Sequence, residues 1–273
     1  MPEGPEIRRA ADVLSAAIAG CKALLVEFAF PHLQVVAKRL TGQHVDSVEA
    51  RGKAMLTHFA NGETIYSHNQ LYGEWSVLKP GDLPQPNLQI RLAIHTAKTI
   101  AVLYSASEIE VWKKTDIDRH PYIRKLGVEL LAPATTTRDV LAQINRPEWA
   151  RKSLTAALLD QGFLAGIGNY LRSDILFVAR IHPSSRIADL STTQRQALAR
   201  AALKLTRQSY RTAGITNDLA LAKQLKDAGL PFSRYRHWVF DRAGEVCHRC
   251  GSMIARIDVS GRGLYWCRTC QTE

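Results

Sequence analysis

The apolar positions of the chain fall into two textures. Near the start, Ile7, Ala11, Leu14 and Ile18 recur at the spacing of one helical face. Pro5 suits a first turn and Gly20 an end, so residues 5–19 are expected to be a helix. From Ala23 to about Trp112 the pattern becomes that of strands. "NLQIRLAIHT" puts Leu88, Ile90, Leu92 and Ile94 on one face, and "TIAVLYS" follows after a short turn. The proline-rich "KPGDLPQPN" reads as a loop between strands. Several amphipathic strands and one helix bury their apolar faces together most simply in a β-sandwich or flattened barrel.

After about residue 115 the texture changes. "DIDRHPYIRKLGVELLAP" has the look of a connector. Helical periodicity then dominates to about residue 228, most clearly in "SLTAALLDQ", "NYLRSDILFVA" and "TTQRQALARAALKLTRQSYR". The predicted class is α+β in two domains: an N-terminal β-sandwich with an N-terminal helix over 1–115, a linker over 116–133, a helical domain over 134–230 and a small cysteine-bearing ribbon over 231–273. A chain of 273 residues is long enough for two modest cores. It has no run of 18 apolar residues and no basic-then-apolar leader at its start, so the expectation is a cytoplasmic protein without a membrane segment.

The cysteines carry the first specific chemistry. "CHRC" and "CRTC" place Cys247, Cys250, Cys267 and Cys270 as two knuckles separated by sixteen residues. That spacing lets four thiolates close a tetrahedron around one structural Zn2+, and a ribbon so small needs its metal to fold. Two disulfides are the alternative, which a cytoplasmic setting disfavours. The intervening "GSMIARIDVSGRGLYW" alternates like a hairpin with Gly261 and Gly263 at its turn. With four sulfurs completing the shell, His248 is read as a surface residue and Cys21 as a core thiol.

Charge narrows the choice of partner. Thirty-six Lys and Arg against 25 Asp and Glu leave a formal +11, spread along the chain rather than gathered in a tail, which favours a folded surface for a polyanion such as nucleic acid. Two stretches bear on how such a partner would be held. "DQGFLAGIGNYLRSDIL" joins two helices through Gly166-Ile167-Gly168, with Asn169 opening the second. It is either a phosphate-binding helix start or a tight turn with Asn169 as an ordinary cap. "SHNQLYGEW" sets Gln70, Leu71 and Tyr72 before a glycine. They form either a wedge that enters a base stack or a half-buried hairpin.

The first residues, "MPEGPEIRRA", hold more than a helix start requires. Removal of Met1 before a proline leaves Pro2 as a secondary amine. An α-amine titrates near 8 against about 10.4 for lysine, and the positive end of the helix lowers it further. A neutral amine attacks a sugar aldehyde carbon. The resulting iminium is an electron sink for eliminating phosphate, with Glu3 beside it for proton transfer. The plainer reading is that Pro2 only frames the helix.

Taken together, "PEGPEIRRA", "RGKAMLTHF", "SHNQLYG", "LAGIGNYLRSDIL" and the terminal four-cysteine finger resemble the endonuclease VIII family of the formamidopyrimidine-DNA glycosylase superfamily, and the likeness runs essentially end to end. The resemblance implies a helix–two-turn–helix domain around Asn169 and a zinc finger that grips DNA. It implies Pro2 as Schiff-base nucleophile, Glu3 as the acid acting on the deoxyribose, Lys53 for β-elimination and phosphate holding, and Arg262 for phosphate binding and δ-elimination. Glu6 matches a further acid without an assigned step. Gln70, Leu71 and Tyr72 match the wedge that fills the gap left by an everted nucleotide. The expected substrate is double-stranded DNA with oxidised bases or abasic sites, acted on by a monomer in the bacterial nucleoid with no catalytic cofactor.

This chain departs from the family pattern at two places. The phosphate-binding arginine after "HP" is here Lys125, preceded by Arg124, and a lysine loses bidentate geometry. The finger turn reads "GRG" where a serine and a proline are expected to flank Arg262. "PEGPE" and "NQLYG" place the chain with the oxidised-pyrimidine branch: thymine glycol, dihydrothymine, dihydrouracil and hydroxycytosine. The alternatives are the 8-oxoguanine and formamidopyrimidine branch, a non-catalytic DNA-binding module, and a metal-dependent nuclease.

Overall fold

A computed structural model describes residues 2–82, 84–259 and 261–272. Two compact units divide the chain after Lys125. Met1, Leu83, Ser260 and Glu273 lie outside the described residues.

The first unit opens with helix α1 (Gly4–Ile18), whose buried Ile7, Ala11, Leu14 and Ile18 are the predicted stripe. Strand β1 (Leu25–Phe28), helix α2 (Gln34–Leu40) and strands β2 (Val45–Arg51), β3 (Ala54–Phe59) and β4 (Glu63–His68) follow. Then come β5 (Glu74–Leu78), β6 (Ile90–His95), β7 (Ile100–Tyr104) and β8 (Glu108–Lys113). They form two four-stranded antiparallel sheets, ordered β1-β6-β7-β5 and β2-β3-β4-β8. Val26, Phe28, Leu92 and Leu103 from one sheet meet Val45, Met55, Phe59 and Ile65 from the other, with Leu14 and Ile18 of α1 in the same core. This is the expected sandwich, with an aligned apolar interior between its sheets.

Two strand expectations are corrected. The stretch from Ala23 is not all strand, because α2 interrupts it, burying Ala37 and Leu40 against the sandwich. Leu88, Ile90, Leu92 and Ile94 do not share a face. The pairing of β6 with β7 slips between Ile90 and Leu92, and one extra residue reverses the alternation. Leu92 and Ile94 therefore face the main core, while Leu88 and Ile90 pack on Ala93, Val102 and Tyr104.

The second unit begins with β9 (Val128–Glu129), paired in parallel with the equally short β10 (Leu164–Ala165). Its helices are α3 (Thr137–Ile144), α4 (Leu154–Ala157), α5 (Asn169–Ala179), α6 (Thr192–Arg211), α7 (Leu219–Asp227) and α8 (Phe232–Tyr235), and it closes with the hairpin β11 (Ile254–Val259) and β12 (Arg262–Cys267). Of "SLTAALLDQ" only one turn is helical; the rest enters the glycine-bearing turn. Gly261, with φ +73°, serves the hairpin turn as expected, whereas Gly263 lies within β12 opposite Asp258. Among the described residues no helix is long and apolar enough to cross a membrane.

Candidate active site and metal centre

Three short segments of the first unit carry most of the predicted chemistry. At the start of α1, Glu3 is the extended cap residue and only 2% exposed; its N–H donates to Glu6 Oε2 at 3.0 Å. Half-buried Pro2 stands just ahead of the positive end of the helix. It lines a cavity of about 340 Å³ with Glu6, Ile7, Leu71, Tyr72 and Trp75. Pro2 and the predicted wedge residues Leu71 and Tyr72, nearly seventy positions apart in sequence, thus share one concave surface. Glu3 and Lys53 do not line it.

Gln70, Leu71 and Tyr72, the predicted wedge, sit in the turn between β4 and β5. Gly73 N–H donates to Asn69 O at 2.7 Å, closing the turn so tightly that a Cβ on Gly73 would stand 2.5 Å from that oxygen. Only glycine fits there. Leu71 and Tyr72 are 56% and 75% exposed, so they are projecting side chains and not a half-buried hairpin. Gln70 differs from its neighbours. Its φ is +51°, and its carboxamide bonds Ser107 and Glu108 at the start of β8.

Lys53 follows Gly52 (φ +60°) in the two-residue turn joining β2 to β3 and is only 6% exposed. Its N–H donates to the Tyr122 hydroxyl at 2.8 Å, which ties the turn to the segment after β8. The Tyr122 ring meets His68 edge-on. Burial, aided by the Lys53 charge and opposed by Glu108, holds the His68 imidazole below its usual pKa. Lys125 is exposed one turn beyond Tyr122, beside exposed Arg124.

In the second unit, the cap of α5 is Gly168 and Asn169 is the first helical residue, so Asn169 is not an ordinary cap. Its Nδ2 donates to Gly263 O at 2.8 Å, and its Oδ1 accepts from buried Arg172 at 2.5 Å. Gly263 follows Arg262, so this contact brings the α5 start and the finger tip together. Arg262 itself is exposed at the head of β12.

The four predicted sulfurs lie within 4.8 Å of one another. Cys247 to Cys270 is 3.9 Å and Cys250 to Cys267 is 3.5 Å. Disulfide sulfurs are about 2.05 Å apart, whereas zinc at about 2.3 Å from each sulfur sets them roughly 3.8 Å apart. The thiols fit one zinc ion and exclude the disulfide alternative. His248 is corrected from a surface residue: it is half-buried, and burial next to Arg242 pushes its imidazole down to about 4.

Several anchoring residues escaped the sequence reading because nothing local marks them. Tyr122 and Glu108 act across long sequence separations. Asp174, fully buried in α5, accepts N–H bonds from Trp238, Val239 and Phe240 at 2.9–3.2 Å. Burial alone would raise its carboxyl, but bonds from His237, Thr216 and Val239 bring it below the usual carboxylate range.

Comparison with known proteins agrees with this fold. The formamidopyrimidine-DNA glycosylase N-terminal domain matches residues 1–105, the formamidopyrimidine-DNA glycosylase H2TH domain residues 126–219, and a zinc finger found in FPG and IleRS residues 244–272. Endonuclease 8 of Escherichia coli is 45% identical over 99% of this chain and 100% of its own, and that of Shigella flexneri 44% over the same shares. In fold, the chain resembles Lactococcus lactis Fpg solved with abasic-site DNA, at TM-score 0.82 and 22% identity over 99% of this chain and all of that one. The class so defined is that of bifunctional DNA glycosylases and abasic-site lyases of base excision repair. Within it, the chain belongs to the endonuclease 8 family of the formamidopyrimidine-DNA glycosylase superfamily.

Proposed function

We propose that this enzyme removes oxidised pyrimidines from double-stranded DNA through a Schiff base on Pro2 and then cuts the strand on both sides of the sugar. A base inside the duplex hides its C1′, so the nucleotide must be everted at a cost of a few kcal/mol, least for a damaged base. Leu71 and Tyr72 fill the space it leaves. The Pro2 nitrogen attacks C1′, the C1′–base bond breaks and the base departs with its electron pair and a proton. Glu3 supplies the proton that opens the deoxyribose ring, giving the iminium. Loss of the C2′ proton, with Lys53 assisting, expels the first phosphate; a second elimination, with Arg262 at the departing phosphate, expels the other. A gap with phosphate at both ends remains.

Residues 1–115 carry this chemistry in the proposal. Residues 134–230 and the finger over 231–273 hold DNA through Asn169 and Arg262, with 116–133 as linker and Lys125 on a phosphate. Zinc on the four cysteines supplies structure only, since four sulfurs leave no open position for water. The enzyme works as a monomer. Support for oxidised pyrimidines over 8-oxoguanine comes from "PEGPE", the "NQLYG" wedge and the identity with endonuclease 8.

The observation that carries the reading is the place of Pro2, ahead of the positive end of α1 and in the cavity it shares with Leu71 and Tyr72. The test is borohydride reduction during incubation with a duplex holding one thymine glycol. A covalent adduct is expected, absent in Pro2→Ala, with Met1 removal checked by mass. An adduct on an abasic duplex alone would refute the pyrimidine preference. Undiminished trapping in the variant would refute the nucleophile.

A further inference from the structure

Helix α6 carries a charge pattern that neither the fold nor the proposed chemistry uses. Its twenty residues contain five cations and no acid. Arg200, Lys204, Arg207 and Arg211 recur every three or four positions and so lie along one face. That face lines a cavity of about 540 Å³, together with buried Leu203 and half-exposed Leu219 at the start of α7. Leu198, Ala202, Leu205 and Ser209 form the buried line of the same helix, and the Tyr170 hydroxyl of α5 meets Ser209 Oγ at 2.8 Å. With 3.6 residues per turn, the cationic line and the buried line point about 160° apart. The groove is therefore turned away from α5, whose first residue, Asn169, the proposed function gives to DNA.

The walls of the groove are fixed. Arg207 donates to Leu130 O, Ala132 O and Thr135 O at 3.3, 3.1 and 2.6 Å, which holds the segment before α3. Gln208 donates to Ile215 O and Asn217 O at 3.3 and 2.7 Å, which holds the segment before α7. The acids that begin the flanking helices are taken up as caps: Asp139 accepts from Thr136 N–H, and Asp218 from the N–H groups of Ala220 and Leu221. Arg200, Lys204 and Arg211 are exposed and, among the described residues, make no ion pair or side-chain hydrogen bond. From Arg200 to Arg211 the helix rises about 16 Å, the length of about five extended residues.

We infer that this groove docks an acidic segment of a partner protein, extended along α6 with an apolar side chain seated over Leu203 and Leu219. Three uncommitted cations in a line set the charge of the occupant. The two leucines give a peptide side chain a seat that a phosphate backbone would leave empty. Single-stranded DNA would stack its bases on aromatic rings, and the described lining residues include none. Docking here leaves the side of α5 open, so the partner and DNA are held at once. The inference stands apart from the chemistry at Pro2.

The test uses the full-length zinc-loaded enzyme and a fluorescein-labelled peptide of aspartates flanking a central leucine, read by anisotropy. Saturable binding is expected, weakening as salt is added. A prebound duplex with a reduced abasic site should not displace the peptide. Arg200→Glu and Lys204→Glu should each weaken binding about five- to twentyfold, since reversal removes an attraction and adds a repulsion. Serine in place of the peptide's leucine should weaken it about fivefold or more. Both substituted side chains are exposed, so the unfolding midpoint and the cleavage of an abasic duplex should stay at wild-type values.

No saturable binding, or binding untouched by Arg200→Glu and Lys204→Glu, would overturn the docking site. Displacement by the duplex, or an equal loss of duplex affinity in the two variants, would make the groove a nucleic-acid surface instead. Equal binding of the serine peptide would reduce it to unspecific charge and overturn the apolar seat.

Discussion

Replacing Asp174 by alanine tests whether one buried carboxylate holds the approach to the finger. Asp174 is in α5, five residues after Asn169, and its partners at residues 237–240 lead into the first cysteine knuckle. Truncation leaves the N–H groups of Trp238, Val239 and Phe240 without their acceptor. Each such loss costs about 1–3 kcal/mol where water cannot enter. Relief from burying a charge returns part of this, so the net loss expected is about 3–5 kcal/mol, as for other broken buried pairs. Asp174→Asn keeps an oxygen for Val239 and Phe240, which share Oδ1, and should lose roughly half as much. The assay is amide hydrogen exchange at residues 238–240, read beside urea unfolding. At about 1.4 kcal/mol per tenfold, Asp174→Ala should exchange there on the order of a hundredfold faster or more. The carboxyl also makes stability pH-dependent. Its folded pKa lies below the unfolded value, so its contribution is present above about pH 4 and is lost as pH falls through the folded pKa. Asp174→Ala should lack that acid-dependent loss. Unchanged protection at 238–240, or an unchanged acid limb, would refute the anchoring role.

Stripping zinc with a strong chelator should unfold the hairpin of β11 and β12, and DNA affinity measured by anisotropy should fall at least about tenfold and return with zinc. Gly73→Ala places a methyl group 2.5 Å from Asn69 O, so the turn must open; base release should slow while the unfolding midpoint of the first unit moves little. Lys53→Met keeps the stem in its buried turn but removes the ammonium. Strand cleavage after base loss should slow by about 10²–10⁴-fold, the range for a lost acid–base group, and a wild-type cleavage rate would dismiss Lys53 from that step.

What the sequence disclosed followed local rules. The α1 stripe, the period of α6 and the spacing of four cysteines each lie within one segment, and all three are present. Reading failed where geometry depends on partners far along the chain. The one-residue slip at Ile90 and Leu92 is set by β7, and it moved two predicted residues to another face. Helix α2 carries only a short apolar signal within a strand-like context, and its docking decides it. At the candidate site, the motifs nominate Pro2, Lys53, Asn169 and the proposed wedge, but not what holds them. Tyr122 reaches Lys53 across 69 positions and Gly263 reaches Asn169 across 94, distances at which a single sequence carries no periodic trace.

Those long-range contacts share a design that bears on function. Lys53 and Arg262 both stand at or beside turns, where backbone is least constrained. Each turn is tied by a polar bond to a helix or to chain far away in sequence: Lys53 through Tyr122, Arg262 through Gly263 and Asn169. In the proposed function these turns stay open to a polyanion, so apolar packing could not supply the ties. One hydrogen bond adds only about 1 kcal/mol to stability, yet misplacing a reacting group by about 1 Å costs as much as a hundredfold in rate. Substitutions at Tyr122 and Asn169 should therefore reduce turnover far more than they reduce folding stability. Asp174 should do the reverse, since it is buried and its bonds to the backbone at 238–240 and to the Thr216 and His237 side chains hold the approach to the finger.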